Sequence, residues 1–232
     1  FSGASIANIE TVVGHPLADA TYLVTFSCFA GPTATDTYAA NLDDATPPYD
    51  TGSPISLAAP AQLQPDIAEG AGQYLLVYSS SHSGLWRVLA QRIDPAGGVL
   101  DTEPLVIDAG PAAYSPAAAW NGSSYLIAWD TGASIIARRM DADGSFLDPA
   151  PIAIMTGRSP DVAALGENFL VAGTQSASNP QYKFPVAKRV SGSGVVLDAN
   201  ETVLGNSFAN FARAAAIGGR WLVTWQRNFS HD

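Results

Sequence analysis

Two aspartates, Asp66 and Asp161, stand at matching places in recurring Pro-Asp-Ile-Ala and Pro-Asp-Val-Ala segments. Paired carboxyl groups are what glycosidic-bond cleavage needs, one as acid and the other as base or nucleophile. The competing reading is an aspartate written into a repeat to cap a loop. Two further copies of the segment weigh toward it, because their corresponding places hold Ala117 and Arg213. A second acidic group, Asp141-Ala-Asp143-Gly-Ser-Phe-Leu-Asp148, offers hard oxygen ligands around a glycine turn, as a calcium site does. Its sister segments, Asp94 to Asp101 and Ser191 to Asp198, lose the counterpart of Asp143. The shared feature is therefore a turn, no metal or other cofactor is expected, and Asp141, Asp143 and Asp148 remain only a subordinate calcium candidate.

His82, Trp86, Asp130 and Tyr182 fall between the second and third strands of their respective repeats. Side chains there are free of core duty, and an aromatic ring can stack on a sugar. They are the candidate ligand-binding residues. The three histidines, His15, His82 and His231, share no metal-ligand spacing, and no nucleophile elbow, dinucleotide fingerprint or phosphate loop occurs. Cys28 is the single cysteine, so no intrachain disulfide forms and it reads as a small packing residue.

What positions these residues is a repeat. An aromatic-led apolar run recurs as Tyr22 to Phe26, Tyr74 to Tyr78, Tyr125 to Trp129, Phe169 to Gly173 and Trp221 to Trp225, at spacings of 52, 51, 44 and 52 residues. Before each of the last four runs comes a short stretch of small residues and then a tight connection such as Asn121-Gly-Ser123 or Gly218-Gly219. After the second, third and fourth runs comes a strand ending in a basic residue, a glycine turn and Leu-Asp, and then a short outer strand as in Pro104 to Ile107 and Pro151 to Ile154. Four strands of five or six residues plus their turns fill about 45–50 residues, the size of a propeller blade. The runs are apolar at successive positions, so both faces need covering, which a sandwich strand with one wet face does not provide.

The expectation is an all-β chain, a single β-propeller domain over 1–232. Its repeats fall at about 7–60, 61–112, 113–157, 158–208 and a partial 209–232, or about 4.5 visible four-stranded blades. A five-bladed ring with an abbreviated last blade is favoured over a portion of a larger propeller. The start at Phe1, without an initiator methionine, reads as a processed or excised piece. Acidic residues outnumber basic ones, 21 to 11, for a formal net charge of −10. That balance argues against gripping nucleic acid or an anionic membrane surface. No apolar run reaches the roughly 18 residues a membrane span requires. Scarce lysine with abundant Ala, Gly, Ser and Thr is a balance associated with secreted bacterial proteins.

The segment Ser115 to Asp148 resembles the YLVVW-type propeller repeats of secreted and surface-anchored bacterial proteins, and the likeness extends over about Gln62 to Trp225. The first copy departs from it, with Ala40 to Asp44 and a proline-rich stretch in place of the basic residue and Leu-Asp. The resemblance implies an extracellular or cell-surface location and a recognition or scaffolding role without fixing a ligand. The first expectation is a non-catalytic module, not an enzyme, that binds a polysaccharide or protein surface. The alternatives are a structural unit assembled with flanking repeats or other chains, and a propeller glycoside hydrolase or lyase using Asp66 and Asp161.

Overall fold

The computed structural model describes residues 6–13, 22–31, 34–42, 53–56, 62–82, 84–108, 110, 112–176, 183–205 and 209–227, with side chains described from residue 62 onward except that of His82. Every regular element among them is a strand. The first sheet is β1 (Ile6–Val13), β2 (Tyr22–Gly31), β3 (Ala34–Leu42) and β4 (Ser53–Ser56), and Cys28 lies in β2 opposite Asp36. The second is β5 (Gln62–Gly70), β6 (Gln73–His82), β7 (Leu85–Ile93) and β8 (Leu105–Asp108). The third is β9 (Tyr114–Trp120), β10 (Tyr125–Asp130), β11 (Ser134–Met140) and β12 (Ile152–Thr156). The fourth is β13 (Arg158–Leu165), β14 (Asn168–Ser176), β15 (Lys183–Val190) and β16 (Thr202–Val203). A fifth holds two strands, β17 (Ala209–Ile217) and β18 (Arg220–Arg227). Each is an antiparallel meander in chain order.

The chain divides into two compact units, Phe1–Ala113 and Tyr114–Asp232. In the first, Tyr74, Leu76 and Tyr78 of β6 share a cluster with Ile67 and Ile93 from the strands on either side. The second unit shows why the aromatic-led runs are apolar on consecutive positions. Phe169 and Val171 of β14 join Leu126, Ala128, Ile135 and Ala137 of the third sheet, whereas Leu170 and Ala172 join Ala212, Ala214 and Val223 of the fifth. Alternate residues of a strand point to opposite faces, so a sheet packed between two others must be apolar at every position. All six residues of β10 are buried as well.

The fourth run departs from the others by ending in Gly173 instead of an aromatic residue, and packing explains it. A Cβ on Gly173 would lie 2.4 Å from Cδ1 of Ile135 and 3.4 Å from Cε of Met155, side chains of the third sheet that already occupy that space.

Between the third and fourth strands, three sheets use one connection. Gly97, Gly144 and Gly194 donate to the carbonyls of Asp94, Asp141 and Ser191, three residues earlier, at 3.0, 3.1 and 2.9 Å. The glycines sit at φ of 89°, 92° and 85°. This is a type I turn closed by a left-handed bulge residue, a conformation glycine adopts without strain.

Candidate functional site

The turn accounts for the acidic cluster. Asp141 Oδ1 accepts from Ala142 N and Asp143 Oδ1 from Ser145 N, at 2.6 and 2.8 Å. Asp94 and Ser191 perform the same service in their copies, accepting from Gly98 N and Val195 N at 2.8 and 3.0 Å. Asp148 faces another way, toward Arg139: its carboxylate takes the Arg139 backbone N–H at 2.8 Å and the guanidinium Nε and Nη2 at 3.1 and 2.6 Å. Among the described residues no three potential metal-ligating side chains come together. The subordinate calcium reading of Asp141, Asp143 and Asp148 is corrected accordingly, since their oxygens close a turn and clamp an arginine.

The clamp recurs at an interval of nine residues as Arg92–Asp101, Arg139–Asp148 and Arg189–Asp198, each with a shortest contact of 2.6 Å. A bidentate guanidinium–carboxylate pair fixes position as well as adding energy, and here it locks the long turn back onto its own third strand. The recurrent basic residue and Leu-Asp were visible in the sequence. Their partnership was not drawn from it, although the constant interval was the available signal.

The four ligand-binding candidates meet different fates. Asp130, at the end of β10, is only 4 % exposed. Its Oδ1 accepts from Gly132 N at 2.8 Å and its Oδ2 from Ser159 N of the fourth sheet at 3.0 Å. Both oxygens hold backbone, so the expectation of a solvent-facing ligand contact is corrected to an anchor between neighbouring sheets. Trp86 lies in β7 opposite Ser81 and is half-buried. His82 ends β6 opposite Leu85, its side chain lying outside the described residues, as does the whole of Tyr182.

The two carboxylates of the glycosidase alternative occupy one structural position. In every sheet the first strand breaks register near its start, between Asn8 and Thr11, Leu63 and Asp66, Arg158 and Asp161, and Asn210 and Arg213. In the third sheet the break lies opposite β10, between Tyr114 and Ala117. Thr11, Asp66, Ala117, Asp161 and Arg213 are thus equivalent, each resuming the ladder just past a bulge. Within the bulge Gln64, Ser115, Ser159 and Phe211 hold φ of 56°, 48°, 49° and 50°. Non-glycine residues adopt that region at a cost, and bulges re-aim the side chain that follows them, most often at rims and beside active sites.

Asp161 is the member of this set whose chemistry stands out. Burial pushes its carboxyl up from the ordinary value, against the opposing pull of the Ala214 N–H and the Arg213 charge. Its Oδ2 accepts from Ala214 N of β17, tying the fourth sheet to the fifth. A half-buried carboxyl whose pKa is raised, at a re-aimed strand position, has the character of a proton donor. Arg213, the equivalent residue one sheet on, is exposed and supplies the nearby positive charge.

A cavity of about 280 Å³ opens in the second unit between the fourth and fifth sheets, lined in part by Arg189, Asp198, Trp221 and Trp225. Asp161 is not among its walls.

No protein-family model and no curated protein sequence matches the chain. Its fold matches solved structures. An exo-1,5-α-L-arabinanase from a bovine ruminal metagenomic library superimposes with a TM-score of 0.56 and 14 % identity over 92 % of this chain and 85 % of that one. The GH43 endo-arabinanase of Bacillus licheniformis gives 0.54 and 14 % over 92 % and 91 %. The catalytic domain of the Coprinopsis cinerea GH62 α-L-arabinofuranosidase gives 0.55 and 13 % over 96 % and 85 %. The expectation that the chain is not an enzyme is corrected to this extent: these three structures, which match its fold at 13–14 % identity, are glycosidases, so the fold does not set the chain apart as non-catalytic. The fold itself, an all-β propeller of four-stranded sheets, is the one the repeat dictates.

Proposed function

We propose that this protein is a propeller glycoside hydrolase acting on an arabinose-containing extracellular polysaccharide, with Asp161 as its general acid. The observation that carries the reading is the half-buried carboxyl of Asp161, raised in pKa and set just past the strand bulge. Its proton would pass to the glycosidic oxygen as the bond to the sugar breaks. The reaction also needs a second carboxylate, to activate water or attack the sugar. The arabinanase and arabinofuranosidase neighbours support the substrate class.

The test is release of reducing sugar from a panel of polysaccharides that includes arabinan. Asp161→Asn is expected to lower kcat by about 10²–10⁴-fold, as loss of a general acid does. In the native protein activity should fall as pH rises through the elevated Asp161 pKa, since only the protonated acid donates. Absence of cleavage across the panel, or turnover untouched by Asp161→Asn, would overturn the proposal.

A further inference from the structure

The bulge in each first strand holds one residue in the left-handed region, and its identity changes between sheets. The second, third and fourth sheets place Gln64, Ser115 and Ser159 there, whereas the fifth places Phe211, at a φ of 50°. A bulky side chain is rare in that region. The bulge itself does not call for a ring, since three sheets build it without one.

Nor does the core hold the ring. Phe211 is 59 % exposed, while Ala209 and Ala212 around it are fully buried. The place faces outward in the other sheets too, where Gln64 is exposed and Ser115 and Ser159 are partly so. The backbone beside it is fixed: Asn210 pairs with Gln226, and its Oδ1 accepts from Lys183 Nζ of β15 at 3.4 Å. A large apolar surface is thus held toward solvent on an ordered strand, in a conformation that costs free energy. The same strand serves Asp161. Ala214 N, three residues on from Phe211, donates to Asp161 Oδ2, and the charge of Arg213 between them acts on the same carboxyl. The ring and the raised carboxyl are both tied to one short stretch, Phe211 to Ala214.

We infer that Phe211 is a sugar-contacting residue of the Asp161 site, its ring stacking on the apolar C–H face of an arabinosyl unit of the chain that Asp161 protonates. The face of the ring carries partial negative charge and the sugar C–H groups partial positive charge, so stacking adds to the burial of apolar area. Because the flanking backbone is already ordered, little freedom is lost on contact. Such a contact is the same before and during bond cleavage, so it governs KM more than kcat. The inference rests on the hydrolase reading and adds to it a residue that selects substrate.

The test is Phe211→Ser in the full chain, which installs the residue that two sister bulges already carry. It is expected to raise KM on the cleaved polysaccharide about tenfold, the loss of one good contact, with kcat changed by no more than about twofold. Phe211→Tyr, which keeps a ring, should restore the native KM, and the thermal midpoint of Phe211→Ser should equal or exceed the native one. An unchanged KM, a KM that Phe211→Tyr fails to restore, or a marked fall in the thermal midpoint overturns the inference and leaves the hydrolase reading in place. If the native chain cleaves nothing in the panel, the hydrolase reading falls by itself. The sugar contact is then decided by calorimetric titration with arabino-oligosaccharides: binding that Phe211→Ser weakens about tenfold supports it, and equal binding or none overturns it.

Discussion

The third and fifth sheets carry nearly the same words in their second strands and live in different surroundings. Tyr125-Leu-Ile-Ala-Trp129 and Trp221-Leu-Val-Thr-Trp225 both pair with a small-residue first strand. Trp129 has no exposed surface, whereas Trp225 is 38 % exposed and Leu222 54 %. The residues do not differ enough to explain this. What differs is that β10 is flanked by strands on both sides, while among the described residues β18 has one. Burial in this fold is supplied by neighbours, and a repeat is only as stable as the interfaces on either side of it. The largest test follows directly. Trp129→Ala should lower stability by about 3–5 kcal/mol, a large aromatic removed from a closed core, whereas Trp225→Ala should stay within about 1 kcal/mol. Urea midpoints of the two variants measure the contrast, and equal losses would break it.

The clamps give a second, smaller contrast. Asp148→Ala leaves the mostly buried Arg139 with its fork unmatched, a loss of about 3 kcal/mol. Asp198→Ala exposes an arginine that already faces water, so its effect at neutral pH should be clearly smaller. That smaller effect has a pH signature. Arg189 holds Asp198 below its ordinary carboxylate value of 3.8. A depressed folded-state pKa contributes stability above the unfolded value and loses it as pH falls through the folded one. The difference between Asp198→Ala and the native chain should therefore vanish in acid, below the depressed value, as followed by thermal melts across pH.

The fold was legible because its signal was repeated. One aromatic-led run on a chain is ambiguous between a buried strand and a helix segment, but five at near-equal intervals, four of them preceded by a hairpin turn, specify a meander. The same periodicity separated turn chemistry from metal chemistry at Asp141, since a ligand set must be complete and the sister turns were not. What stayed hidden was where side chains spend their hydrogen bonds. Asp130 sits in a loop by its place in the grammar, yet both oxygens are spent on backbone N–H groups, one of them 29 residues away in the next sheet. Asp101, Asp148 and Asp198 looked like turn residues and are arginine partners across nine positions. Nothing in single-residue propensity encodes such pairs. Gly173 was visible as an irregularity, but its cause, Ile135 filling the space, belongs to another repeat.

Two aspartates that link neighbouring sheets bring the comparison to its finest point. Asp130 ties the third sheet to the fourth through Ser159 N, and Asp161 ties the fourth to the fifth through Ala214 N. Asparagine is nearly the same shape as aspartate, but it converts one acceptor oxygen into a donor. At Asp130 both oxygens receive N–H bonds, so Asp130→Asn turns an NH₂ group against a backbone N–H in a buried site and should cost about 1–3 kcal/mol. At Asp161 the amide oxygen can stay on Ala214 N, while the charge that burial disfavours is removed. A folded-state pKa raised above the unfolded value means stability is fully present below that unfolded value, 3.8, and is lost as pH rises through the folded one. Above that value the half-buried carboxyl burdens the fold, and Asp161→Asn should raise the thermal midpoint at neutral pH, the gain disappearing in acid as the carboxyl is protonated in both the folded and the unfolded chain. The two substitutions, chemically identical, are expected to move stability in opposite directions at neutral pH. If melting curves moved the same way for both, Asp161 would be a structural tie like Asp130, and its claim to be the proton donor would go with the difference.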